Sequence, residues 1–192
     1  MENKTGLFFG SFNPIHIGHL AIANYLIEFS DMNVLWFVIT PQNPFKKRNS
    51  LLSDQLRLEM VELAIKGDDR FRVCDVEFRM PVPSFTIDTL MYLKEKHPRH
   101  NFQLIMGSDN LDQFHKWKNY DIIEKNFKRI IYPRPGSSEI NINELKNCEV
   151  INAPLMEISS SFIRKALKSG KKPDRFLPAP VYEFIEKMNL YR

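Results

Sequence analysis

The chain is poor in cysteine. Its 192 residues hold two, Cys74 and Cys148, too few for a disulfide scaffold or a cysteine-rich zinc site. Cys74 lies in Phe-Arg-Val-Cys-Asp-Val and Cys148 opens Cys-Glu-Val-Ile-Asn-Ala-Pro, so both are expected to be buried small hydrophobes in a reducing compartment. Long apolar runs are missing as well. The longest clean one, Val34–Ile39, is far too short to span a bilayer. The opening Met-Glu-Asn-Lys-Thr-Gly shows no basic region leading into an apolar stretch, which argues against a signal peptide. The expectation is a soluble, cytoplasmic protein with no membrane partner. Charge of one sign is lacking too: 27 Lys+Arg face 23 Asp+Glu, a net +4, too small a surplus to demand nucleic acid. No internal repeat is visible, and 43% apolar with 26% charged residues excludes a disordered or collagen-like chain.

What remains is an ordinary globular composition of a length that suits one domain over 1–192, able to bury roughly 70% of its unfolded surface. Short dense apolar runs alternate with longer helical ones. Strands are expected at Gly6–Gly10, Val34–Thr40, Phe71–Val76, Phe102–Met106, Arg129–Tyr132 and Glu149–Asn152, from their β-branched and aromatic residues. Between them, helices are expected at Ile17–Phe29, after an N-cap at Ser53 with Leu56, Met60, Leu63 and Ala64 on one face, at Thr86–Lys96, in pieces over Leu111–Lys125, and at Ser159–Ser169. Pro180–Asn189 closes the chain with Val181, Phe184, Ile185 and Met188 expected inward. Pro41–Asn49 and Met80–Ser84 read as loops. Such alternation predicts an α/β fold, a doubly wound, mostly parallel sheet with helices on both faces. Ligands of such sheets sit beyond the carboxyl ends of the strands. The residues to inspect are therefore Gly10–His19, Pro41–Lys47, Val82–Thr86 and Gly107–Trp117.

The first of these segments is Gly10-Ser11-Phe12-Asn13-Pro14-Ile15-His16-Ile17-Gly18-His19. Gly10 permits a sharp turn and a close ligand, and Gly18 opens the helix where free amides favour an anion. His16 and His19, three apart, share a face at the helix start. A histidine pair there suits phosphate. No carboxylate or thiolate follows within the segment, so no metal site is expected. Neither a dinucleotide glycine fingerprint nor a Walker loop is present. Near the other end, Ile158-Ser159-Ser160-Ser161-Phe162-Ile163-Arg164 places serine hydroxyls and free amides at a helix start, with an arginine one turn in, a second anion site. Two basic clusters, Lys46–Lys47–Arg48 and Lys171–Lys172–Arg175, suit a phosphate-rich small molecule as well as they suit plain solvation.

Gly10, Phe12, Pro14, His16, Gly18 and His19 together resemble the signature of the HxGH nucleotidyltransferase superfamily, and the Ser159–Arg164 segment resembles its second signature. Pro83-Ser84-Phe85-Thr86-Ile87-Asp88-Thr89-Leu90, Gly107-Ser108-Asp109 with Trp117, Arg134-Pro135-Gly136 and the closing Val181–Tyr191 pattern resemble the bacterial nicotinate mononucleotide adenylyltransferases. The resemblance covers nearly the whole chain and implies a Rossmann-like nucleotidyltransferase fold, with a C-terminal helical part from about 154 carrying the second phosphate motif. Two departures stand out. The family's first loop usually reads Gly-Gly-Thr-Phe-Asp, where this chain has Phe9-Gly10-Ser11-Phe12-Asn13. Its second loop often reads Pro-His-Lys, here Pro44-Phe45-Lys46.

The resemblance further implies transfer of AMP from ATP, with magnesium carried on the phosphates, to nicotinate mononucleotide, giving nicotinate adenine dinucleotide and pyrophosphate. Its implied catalytic residues are His16, His19 and Arg164. The ATP set is Gly10, Ser11, Phe12, His16, Gly18, His19, Gly107, Asp109, Ser159, Ser160 and Arg164. The mononucleotide set is Asn13, Lys46, Ser84, Thr86, Trp117, Lys118 and Arg134. Nicotinamide mononucleotide and other phosphorylated acceptors such as phosphopantetheine are the alternatives, and the chain could act as a monomer or a homo-oligomer.

Overall fold

The computed structural model describes residues 3–41, 51–136 and 145–192. Six strands form one sheet in which every neighbouring pair is parallel: β1 Asn3–Gly10, β2 Val34–Ile39, β3 Phe71–Cys74, β4 His100–Gly107, β5 Lys128–Tyr132 and β6 Cys148–Val150. Their spatial order is β3-β2-β1-β4-β5-β6. β1 therefore lies between β2 and β4, where the winding reverses. At that switch point the loops leaving adjacent strands diverge to opposite faces and open a crevice beyond the strand ends.

The helices are α1 Ile17–Phe29, α2 Asp54–Ile65, α3 Thr86–Lys96, α4 Leu111–Phe114, α5 Tyr120–Asn126, α6 Ser160–Lys168 and α7 Ala179–Lys187. Strand side chains alternate between the two faces, so adjacent β1 residues enter separate cores. Phe8 joins the layer with Leu26 of α1, Met60 of α2, Ile163 of α6 and Ile185 of α7. Leu7 joins the layer with Leu90 of α3 and Ile123 of α5. Burial of each such aliphatic side chain stabilises the fold by about 1.5–3 kcal/mol.

Element types follow the sequence pattern, and several bounds differ. β1 begins at Asn3 and β4 at His100, because parallel pairing with each other satisfies backbone that has no apolar signature of its own. β3 stops at Cys74, and Val76–Arg79 turns into a short 3₁₀ helix. Ser53 caps α2 by accepting from the Leu56 amide, and Ser159 caps α6 by accepting from the Phe162 amide. Cys74 is buried, whereas Cys148 is only half-buried at the edge strand. Met188, expected inward, is 47% exposed: it is the C-cap just past the last turn of α7.

The buried face of α2 carries an unexpected residue. Arg57, rather than a hydrophobe, is fully buried beside Met60 and Val61. Its guanidinium donates to the Ser11 carbonyl at 2.6 Å, the Thr40 carbonyl at 3.0 Å and the Asp54 carboxylate at 2.5 Å, with longer bonds to the carbonyls of Leu52 and Pro41. It thus ties α2 to the ends of β1 and β2. A buried cation survives only when its donors are used, and here five acceptors use them. Arg57→Met should lower unfolding stability in urea by roughly 3 kcal/mol, because the carbonyls it serves are left buried without a partner.

Candidate active site

Beyond β1 and β4 lies a cavity of about 490 Å³. Its floor is the end of β1 and the loop after it, with Gly10, Ser11 and Phe12, and its near wall is the start of α1 with His16 and His19. Ser159, Ser160 and Arg164 at the start of α6 close one side. Gly107, Asp109 and Arg134 line the β4–β5 side. Ser84, Thr86, Trp117 and Lys118 form the far end. Residues from both ends of the chain therefore face one volume.

The loop after β1 has irregular backbone, with Phe12 at φ +44°, and its carbonyls are taken by distant side chains. Arg164 Nη1 donates to the Asn13 carbonyl at 2.8 Å, and Ser160 Oγ donates to the Pro14 carbonyl at 2.9 Å. Arg164 also reaches Ser161 Oγ at 3.3 Å, so its guanidinium is oriented before any anion arrives, with donors to spare. The start of the nine-residue α6 lies beside it, its Phe162 amide capped by Ser159.

His16 and His19 stack with ring centroids 3.7 Å apart. The His16 amide donates to His19 Nδ1 at 3.3 Å. That acceptor role puts the proton of a neutral His19 ring on Nε2, which is then a hydrogen-bond donor. Gly18 does not line the cavity. A Cβ there would lie 3.0 Å from His16 Nδ1, so the glycine makes room for the imidazole. Gly107 works in a similar way, since a side chain there would collide with Asp109 and crowd Arg134.

Asn13 is 1% exposed and does not line the cavity. Its Oδ1 accepts from the Tyr191 hydroxyl at 2.7 Å and from the Leu52 amide at 3.4 Å. The position where the family usually carries aspartate thus anchors the end of the chain to the first loop. Arg134 lies beside Asp109, Nε to Oδ1 3.7 Å, and so shares a wall with the expected ATP residues rather than with Trp117. Lys118 Nζ is held on the Asp88 carboxylate at 2.9 Å and lies 4.8 Å from the Phe85 ring centroid. The N-cap of α3 is Phe85, and Thr86 is its first residue. Lys46 lies outside the described residues, as does Phe45.

Three residues of this site escaped sequence reasoning: Arg57, Tyr191 and Glu77. Glu77, on the 3₁₀ turn after β3, is a buried carboxylate on the cavity wall. Arg57 shares the helical stripe of Met60 and Val61, and Tyr191 closes the Val181–Tyr191 pattern, whereas Glu77 left no sequence signal.

The cytidylyltransferase-like family matches residues 7–166. Over 98% of its length the chain is 49% identical to the probable nicotinate-nucleotide adenylyltransferase of Flavobacterium johnsoniae, covering 99% of that protein. It is 51% identical over 96% of its length to the protein of the same name from Bacteroides fragilis, covering 92% of it. The chain belongs to the nicotinate-nucleotide adenylyltransferase family. Among solved structures, the Plasmodium falciparum nicotinic acid mononucleotide adenylyltransferase complexed with NaAD superposes with a TM-score of 0.83 at 23% identity, over 98% of this chain and 97% of that one. At that identity the likeness speaks for the fold.

Electrostatics separate the two histidines of the family's HxGH signature. Burial, helped by the nearby charge of Arg134, lowers the His16 pKa from 6.5 to about 4, so His16 is neutral at pH 7. Its Nδ1 is buried against Gly18 at the start of α1. The unfolded chain protonates His16 near pH 6.5, and the folded chain only near pH 4. Stability contributed by the neutral ring is therefore present above pH 6.5 and lost as pH falls through that window, by about 3 kcal/mol in all. Urea titrations between pH 7 and pH 4 should show wild type losing this stability and His16→Gln retaining it.

Proposed function

We infer that the chain transfers AMP from ATP to nicotinate mononucleotide, forming nicotinate adenine dinucleotide and releasing pyrophosphate. The carrying observation is the pairing, in one cavity, of a cationic, amide-rich phosphate end with an aromatic end that opens onto the start of α3, in a chain about half identical, nearly end to end, to relatives of that name.

A phosphate oxygen of the mononucleotide attacks the α-phosphorus of ATP in line. The bond from that phosphorus to the bridging oxygen breaks, and pyrophosphate leaves with the electron pair. No protein nucleophile takes part, so catalysis is positioning and charge stabilisation. His19 donates from Nε2 to the α-phosphate as negative charge gathers there, while the neutral His16 ring stacks behind it. Arg164, with the serines and amides at the start of α6, holds the β,γ-phosphates that become pyrophosphate. Asp109 accepts from the ATP ribose. Trp117 stacks on the pyridine ring, and the amides around Thr86 and Lys118 receive its carboxylate. Arg134, placed beside Asp109, serves the nucleotide side, and Lys46 is the candidate for the mononucleotide phosphate.

Magnesium enters as part of the substrate. The phosphate end offers imidazole, guanidinium and hydroxyl groups, and no three His, Cys, Asp or Glu side chains gather to hold a metal among the described residues. Such a donor set complements phosphate oxygens, leaving the ion to those oxygens and water. No helix among the described residues is long and apolar enough to cross a membrane. The reading includes one domain over 1–192 and a cytoplasmic location, where ATP is supplied.

The test is pyrophosphate release with MgATP and either nicotinate mononucleotide or its amide. The acid should be preferred by at least about tenfold in kcat/KM, one lost charge-assisted contact being worth about that much. Equal use of the amide would overturn the choice of acceptor, and silence with both would overturn the transfer. His19→Ala should lower kcat roughly 10²- to 10³-fold, the range for one donor aimed at developing charge, with the KM for ATP changing far less.

A further inference from the structure

The cavity wall holds a carboxylate that the reaction does not use. Glu77 is 2% exposed, yet it borders the same cavity as Ser84, Phe85 and Thr86. Its two oxygens are engaged separately. Ser84 Oγ donates to Oε2 at 2.7 Å, and Thr89 Oγ1 donates to Oε1 at 2.7 Å. The Thr40 hydroxyl also favours its charged form, and Thr40 stands just past β2, where its amide donates to the Gly10 carbonyl at 2.9 Å. Burial works the other way and raises its pKa.

Glu77 thereby joins three pieces of chain: the end of β2, the turn before α3, and the first turn of α3. Ser84 and Thr89 flank Phe85 and Thr86, whose amides would meet the acceptor's carboxylate. We propose that Glu77 is a positioning residue for acceptor selection: by clamping Ser84 and Thr89 together it fixes the backbone at the start of α3 in the shape that receives a planar aromatic carboxylate. This rests on nicotinate mononucleotide being the acceptor. A neutral hydrophobic residue would leave the Ser84 hydroxyl without its Glu77 acceptor and the Thr89 hydroxyl with only the weak Met80 thioether at 3.5 Å, and free the turn to shift. A shift of about 1 Å is enough to weaken a site built from fixed backbone donors.

Steady-state kinetics on Glu77→Ala and Glu77→Gln, with amide hydrogen exchange over residues 83–90, test this. For Glu77→Ala the KM for nicotinate mononucleotide should rise about tenfold or more while the KM for ATP stays within about twofold. The acid-over-amide preference should fall in step, and exchange over 83–90 should quicken with α1 and α6 unchanged. Glu77→Gln keeps one acceptor oxygen in place and should recover part of the KM; if the alanine variant fails to fold, a smaller rise in the KM for nicotinate mononucleotide alone, with quicker exchange over 83–90, is expected of Glu77→Gln, and wild-type behaviour in both would overturn the proposal. Both KM values rising together, or exchange over 83–90 staying at the wild-type rate, would overturn the proposal. Wild-type silence toward nicotinate mononucleotide would instead overturn the acceptor, and the exchange result would then decide the clamp by itself.

Discussion

The loop that leaves β1 has to present backbone and imidazole to a ligand while its own carbonyls sit where water cannot reach them. Helix and sheet satisfy such carbonyls by repetition, and this loop has neither. Side chains from far along the chain do so instead. Arg57 takes the Ser11 carbonyl, Arg164 the Asn13 carbonyl and Ser160 the Pro14 carbonyl. Tyr191 adds a bond to the Asn13 side chain from the last turn of the protein. The requirement that buried carbonyls be paired thus draws α2, α6 and the C-terminus onto one loop, and the end of the cavity lined by His16, His19 and Arg164 is a by-product of that convergence.

Arg164 shows how support and chemistry combine. One edge of its guanidinium is spent on loop and helix, which fixes its plane, and the remaining donors face the cavity. A side chain already immobilised loses little entropy on meeting an anion. His19 is held by the same logic, since accepting from the His16 amide fixes both its tautomer and its ring. The far end is built differently: Lys118 is anchored on Asp88, and Glu77 accepts from Ser84 in the turn before α3.

The two glycines of the signature segments show the difference between a motif and its reason. Gly18 and Gly107 are expected where a ligand comes close. In the folded chain the space beside each is filled by neighbours, the His16 ring in one case and the Asp109 and Arg134 side chains in the other. Their missing side chains let the functional residues take up their positions. Asn13 is similar: its motif places it beside the substrate, and its contacts place it in the support of the loop.

The alternation of short apolar runs with amphipathic stretches was enough to establish a parallel α/β sheet, because side-chain periodicity is a local property and burial enforces it. The two helix-start segments, Gly10–His19 and Ser159–Arg164, were equally legible, since a cap and a helix start depend on residues adjacent in sequence. The strand order, and with it the single cavity that unites Ser11, Asp109, Trp117 and Arg164, arises from crossover connections and belongs to the tertiary structure. So do Arg57, Glu77 and Tyr191. An arginine on an apolar helical stripe, a glutamate past a strand and a tyrosine in the closing pattern do not reveal their partners in one dimension. Their partners lie 46, 12 and 178 positions away, and hydrogen bonding across such separations exists only once packing has closed the intervening chain.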